Sequence, residues 1–306
     1  MSTPQEEQAR RNAAVLQALG SQPAAQPQSQ WPSQPQPGEV WVPTLGPAAL
    51  SPESAVEEGQ GNQSLAFWVL PDAAFGMIFA IILQFIILFG FIAVLGIGRQ
   101  EALLNLQNDP TFTLLAAPTL GIGFATMAAL RIRLLRKLPW SWFGLHLRKI
   151  GPALGWGTLA GFAFLAINAA FGFLFTQLGS TPDQAEQIMR PFRTASGLQL
   201  GLLGLFIVVV GPFLEEVFFR GYALRAIRQR LGPTWGIVLS AALFAAPHAL
   251  SITTGFLGLL TPIFVGGLIL GFVYQRTNNL WSCTIAHSIN NLVGFLGLLA
   301  ALALPQ

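Results

Sequence analysis

Two adjacent glutamates, Glu215 and Glu216, lie in the middle of an apolar run, Leu202 to Arg220, suited to the inside of a membrane. The chain has 13 acidic residues, and sequence places this pair alone well inside an apolar span. A charged residue at the centre of a membrane helix costs roughly 2.5–3.5 kcal/mol on insertion scales. Two side by side require a partner cation, a water-filled cavity or a bound proton. Arg220 is one turn from Glu216 on the same helix face, so the two can pair. Glu215 is rotated by about 100° from Glu216 and faces a different environment. The plain structural alternative is that both acids neutralise nearby arginines at a membrane edge.

His248 sits in the next apolar run. Leu231-Gly232-Pro233 reads as the turn between the two runs, because Gly and Pro end helices. Glu215 and His248 are nearly equidistant in sequence from that turn. In an antiparallel hairpin both then lie roughly 25 Å from its tip. A carboxylate and an imidazole at one depth can hold and deprotonate a water, which is general-base chemistry. His287 and Asn291, four apart on one helix face, can donate hydrogen bonds to a developing oxyanion. Their structural alternative is interhelical hydrogen bonding. Asn290 is expected to point elsewhere.

The elements that must carry these groups are helices. The chain has 306 residues, 53% of them hydrophobic and 9% charged, with mean hydropathy +0.57. Soluble domains carry about 25% charged residues. An all-α polytopic membrane protein follows, since lipid-exposed backbone must satisfy its own hydrogen bonds. Seven apolar stretches read as spans: Ala73 to Ile97, Thr111 to Ala129, Pro152 to Phe175, Leu198 to Phe219, Pro233 to Leu250, Phe256 to Tyr274 and Leu280 to Leu302. Residues 1–66, rich in Gln and Pro and containing Trp31 and Trp41, read as a disordered cytoplasmic tail. Residues 67–150 read as two accessory membrane helices followed by a basic interfacial segment, and 151–306 as the membrane core.

Basic residues alternate between the loops. Arg131, Arg133, Arg136, Lys137, Arg148, Lys149, Arg220, Arg225, Arg228, Arg230 and Arg276 fall on one side. The other side holds Arg99, Arg190 and Arg193, offset by Glu101, Asp109, Asp183 and Glu186. The positive-inside rule then puts the N-terminus in the cytoplasm and the C-terminus outside. The segment Leu138 to Lys149, which contains His146, reads as an interfacial helix on the cytoplasmic leaflet or as a connecting loop. If Arg225, Arg228 and Arg230 are hydrated, the hairpin tip projects from the bilayer. The fifth helix then breaks near mid-membrane at Ser251 to Thr254, beside a cavity. Pro212 should kink the fourth helix and free backbone groups near the acids. Gly267 and Gly271 form a GxxxG that permits close helix approach. Cys283, the one cysteine, excludes an internal disulfide and reads as an inert apolar side chain. No basic soluble domain is visible, so no nucleic-acid partner is expected.

Taken in order, Glu215-Glu216-x-x-x-Arg220, Phe244-x-x-x-His248 and His287-x-x-x-Asn291 resemble the CPBP (Abi) family of type II CAAX prenyl endopeptidases and bacteriocin-related proteins. The resemblance covers about residues 198–297. It implies an intramembrane endopeptidase with Glu215 as general base, His248 as its partner on the water, His287 and Asn291 as the oxyanion pair, and Glu216 and Arg220 in support. The expected partners are the lipid bilayer and a peptide or lipid-modified protein substrate, with the site opening to the cytoplasm. Zinc, held in principle by Glu215, His248 and His287, and a metal-free glutamate-activated water both remain open. So do a non-catalytic scaffold or bacteriocin-immunity-type protein built on the same polar network, and a proton-coupled transporter.

Overall fold

The computed structural model describes residues 65–95, 108–147, 150–178, 190–251 and 256–303. The expected tail up to residue 64, with Trp31 and Trp41, lies outside the described residues, as do Arg148, Lys149 and the break at 252–254. Helix dominates, and no strand occurs among the described residues. Helix α1 runs Leu65–Leu95, α2 Pro110–Ala116 and α3 Thr119–Ala129, continued by a wide π turn at Leu130–Leu135. Helix α4 is Ile150–Gln177. Then come α5 (Gly197–Leu205), a π segment (Phe206–Val210), α6 (Gly211–Glu216), a second π segment (Val217–Leu224) and α7 (Arg225–Leu231). Helix α8 is Pro233–Ala245, continued by a 3-10 turn at Ala246–Ser251; α9 is Phe256–Thr277 and α10 Leu280–Ala303.

Among the described residues five stretches are long and apolar enough to cross a membrane, where seven spans were expected: Leu65–Val94, Pro110–Leu135, Ile150–Gln177, Gly197–Ala249 and Leu280–Ala303. The fourth is 53 residues long and contains both the expected fourth and fifth spans. It folds back at Gly232, whose φ of 84° favours glycine, with Pro233 starting α8. Helix α8 has 13 residues, a rise of about 20 Å, which is too short to cross the ~30 Å hydrocarbon layer alone. Helix α9, the expected sixth span, is not among the five. The first span begins at Leu65 rather than Ala73, so Asp72 lies inside α1.

Ser196 starts the long arm of the hairpin. It accepts from the Gln199 amide, while the Gln199 side chain reaches back to Ser196, a reciprocal capping box. The hairpin closes because Gly236 lets α8 rest on Arg228 and Leu224: a Cβ there would lie 2.9 Å from Arg228 Cβ. Gly267 and Gly271 seat α9 on Ala241 and Ile237 of α8, the close approach expected of the GxxxG. A second pair, Gly157 and Gly161 on α4, packs against Ile285 and Ile289 of α10.

The two accessory helices are tied to the core by a polar clamp. Arg131 forms a two-pronged pair with Asp72, Nε to Oδ2 at 2.8 Å and Nη2 to Oδ1 at 2.6 Å. Tyr222, on the second π segment, donates to the same Asp72 Oδ2 at 2.6 Å. The guanidinium of Arg131 also stacks on Trp68. Burial of Asp72 is tolerable because each carboxylate oxygen is hydrogen-bonded.

The segment after Lys137 does not form a surface helix. One 3-10 turn, Trp140–Phe143, ends at Gly144 in the left-handed region. Trp142 and Phe143 are buried in the core, while Trp140 stays exposed. Leu280 N–H donates to Gly144 O, Tyr274 to Phe143 O and Asn279 to His146 O, so this loop closes the α9–α10 end. Arg225 is buried, so the condition of hydration set for a projecting hairpin tip does not hold at this residue; it donates to Trp142 O and stacks on the Trp142 ring. Cys283 is buried with Sγ 3.3 Å from Leu270 O.

The α4–α10 contact predicts a contrast. Gly157→Ala should destabilise the solubilised protein by about 1–3 kcal/mol, because its Cβ meets Ser282 O and Ile285 at 2.8 Å. Gly155→Ala has open space and should be neutral or stabilising by up to about 1 kcal/mol, from helix propensity. Thermal unfolding in one detergent compares the two directly.

Candidate active site

Pro212 shapes the site before any side chain does. A proline has no N–H and cannot close a backbone bond to the turn below. The chain answers with the π segment, in which Gly211 N–H bonds to Phe206 O, five residues back. The next bond in that series would run from residue 212 to Ile207 O, and proline cannot make it. Asn291 takes the place: its Nδ2 donates to Ile207 O at 3.0 Å. The backbone group freed by Pro212 is thus what anchors Asn291 of α10 beside the acids.

Glu216 is the centre of the constellation. Its carboxylate is fully buried, and Oε1 accepts from Arg220 Nη1 and lies 3.0 Å from His287 Nδ1. Arg220, equally buried, also donates to Gly267 O at 3.1 Å and stacks on Phe244, 4.5 Å from the ring centroid. The i,i+4 pairing of Glu216 and Arg220 agrees with their spacing. The link to His287 was not legible, because it joins residues 71 apart.

Glu215 faces a different environment, as its rotation implied. Its side chain is 30% exposed and lines a cavity of about 350 Å³ shared with His248, His287 and Asn291. His287 Nε2 lies 3.9 Å from Glu215 Oε2, so this ring sits between the two carboxylates. His248, on the 3-10 turn that ends the hairpin's short arm, has Nδ1 3.1 Å from Phe244 O. A carbonyl only accepts, so Nδ1 carries a proton, and in the neutral ring Nε2 is the acceptor. Phe244 touches both histidine rings, with centroids 5.6 Å away in each case.

Two residues enter the site that the sequence reading passed over. Asn290 does not point elsewhere: it lines the cavity and donates to Asn291 Oδ1 at 3.3 Å. Asn168 of α4 donates to Asn290 Oδ1 at 2.6 Å and lines the same cavity. A polar residue in the middle of the third apolar run was the available signal for Asn168, by the rule that singled out the glutamates. The three carboxamides form a chain that ends on Ile207 O.

A catalytic zinc asks for three protein donors at one point. Among the described residues no group of three His, Cys, Asp or Glu side chains is gathered to hold a metal ion. Glu215, His248 and His287 share a cavity wall; Nδ1 of His287 is held by Glu216 and Nδ1 of His248 by Phe244 O, which leaves Nε2 as the ring nitrogen a metal would use.

Residues 197–293 match the family model described as Type II CAAX prenyl endopeptidase Rce1-like. The matched segment, about a third of the chain, contains every site residue read from sequence and excludes α1 to α4, hence Asn168. Over this segment, less than half of the chain, the protein is similar to the CAAX-protease-like family, and the long apolar helices among the described residues suit an integral membrane protein. No curated protein and no solved structure matches the chain.

The burial contrast separates the two acids. Arg220→Ala would leave Glu216 buried with half its charge partners gone, a loss of about 3–5 kcal/mol. Glu215→Gln removes a partly exposed charge and should change stability by less than about 1 kcal/mol. Thermal unfolding of the purified variants should show Arg220→Ala unfolding far below wild type and Glu215→Gln close to it.

Proposed function

We propose that the protein is an intramembrane endopeptidase in which Glu215 and His248 activate a water and His287 and Asn291 stabilise the oxyanion. The observation that carries this reading is the sharing of one cavity by these four side chains while Glu216 and Arg220 are sealed beneath it. Glu215, the more exposed acid, takes the proton of the water, and Nε2 of His248 accepts a hydrogen bond from the same water. Hydroxide attack on the scissile carbonyl builds negative charge on its oxygen. His287 with both ring nitrogens protonated, Nδ1–H on Glu216 and Nε2–H on the oxyanion, and the second N–H of Asn291, whose first is fixed on Ile207 O, donate to that oxygen. Collapse of the tetrahedral species breaks the C–N bond, and the proton held by Glu215 passes to the leaving amine.

The substrate class that fits is a membrane-associated polypeptide, lipid-modified at its C-terminus by analogy with the family description. The arginine-rich ends are assigned to the cytoplasmic face, with the N-terminus on that side. The cavity lining on α4 climbs from Phe164 to Gly172, away from the Ile150 end where the basic loops gather.

A proteomic comparison of membranes carrying wild-type and Glu215→Gln protein tests the reading. Polypeptides with shortened C-termini should be present with wild type and absent with the variant; equal processing in both refutes it. Asn291→Ala should lower the processing rate by about 10²–10³-fold, as for loss of one oxyanion donor.

A further inference from the structure

Helix α4 lies outside the segment that carries the family motifs, yet it supplies one wall of the cavity. Phe164, Asn168 and Gly172 recur every four residues and so line one face of it. From Phe164 to Gly172 the helix rises about 12 Å. An extended peptide advances about 3.3 Å per residue, so the wall is as long as three to four extended residues. Its two ends differ. At Phe164 the ring packs directly on Gly266 of α9, where any Cβ would collide with it. At Gly172 nothing lies within 4 Å of a Cβ position, and the residue is exposed.

Between these ends stands Asn168. Its Nδ2 is committed to Asn290 Oδ1 at 2.6 Å, which fixes the carboxamide orientation. Its Oδ1 accepts no hydrogen bond from the described residues and remains an acceptor for a backbone N–H. Pro262 and Ile263 of α9 line the same space and offer apolar surface to side chains. A closed apolar end, an open end, an oriented amide between them and Glu215 on the shared wall are the parts of a peptide cleft.

We infer that the Phe164–Asn168–Gly172 face of α4 is the substrate cleft: it receives three to four residues of extended peptide, Asn168 binds their backbone, and Gly172 marks the mouth. The identity of the occupant rests on the proteolytic reading, while the cleft itself rests on the geometry of α4.

Thiol chemistry tests it, because the native Cys283 is buried. Three single variants of the full-length protein are placed in vesicles: Gly172→Cys, Asn168→Cys and, on the outward face, Ala170→Cys. A charged, water-soluble thiol reagent should modify the first two and leave the Ala170→Cys variant unmodified. A farnesylated CAAX-type peptide should protect the Gly172→Cys thiol, both in the Glu215-intact protein and with Glu215→Gln added. Asn168→Leu, combined with Gly172→Cys, should need about tenfold more peptide for equal protection, the loss of one hydrogen bond, while its Gly172→Cys thiol still labels fully without peptide. Protection without any cleavage would sustain the cleft and refute the protease reading. Equal labelling of the Ala170→Cys and Asn168→Cys variants, or no protection of the Gly172→Cys thiol, would overturn the cleft whatever the cleavage result. Equal protection in the Asn168→Leu variant would overturn the role of Asn168.

Discussion

One buried carboxylate organises the molecule. Glu216 sits with no solvent exposure in a helix that also contains Arg220, and its Oε1 is shared between that arginine and His287. An isolated buried charge would cost several kcal/mol, so the three groups stand or fall together. Arg220 reaches α9 through Gly267 O and α8 through the face of Phe244. His287 brings in α10. A single ionic cluster therefore fixes the relative positions of four helical segments, and Glu215 is presented to the cavity as a consequence.

The backbone around the acids is as specialised as the side chains. Two π segments bracket α6, one forced by Pro212 and one running from Val217 to Leu224. π turns tend to occur at functional sites because they leave backbone carbonyls short of partners. Here Ile207 O is satisfied by Asn291, so the local distortion is coupled to the placement of a site residue on another helix. The second π segment carries Tyr222, whose hydrogen bond to Asp72 ties the accessory helices to the same structure. Residues remote from the cavity thus brace the segment that bears the acids.

Glycines set the helix spacing. Gly157 and Gly161 admit α10, Gly236 admits α7, and Gly267 and Gly271 admit α8. Lipid tails give little hydrophobic drive for helix association, so close packing of this kind is what holds such a bundle together. It also defines the cavity, which is lined from α4, α6, α8, α9 and α10.

Sequence by itself singled out the side chains proposed to carry the chemistry and determined which of them share a helix face. Glu216 and Arg220, His287 and Asn291, and the kink at Pro212 all follow from periodicity and from proline's missing N–H, which are local properties. The hairpin depth match between Glu215 and His248 needed only the turn at Gly232. Tertiary structure alone decided that Glu216 binds His287, that Asn168 and Asn290 join the cavity, that Asp72 clamps Arg131 and Tyr222, and that Arg225 is buried rather than hydrated. It also decided that α8 is too short to cross alone. The physical reason is common to all five. Helical register fixes the direction of a side chain on its own helix. Which faces then meet depends on how close the glycine contacts let the helices come and at what angle, and no spacing along one strand of sequence encodes that.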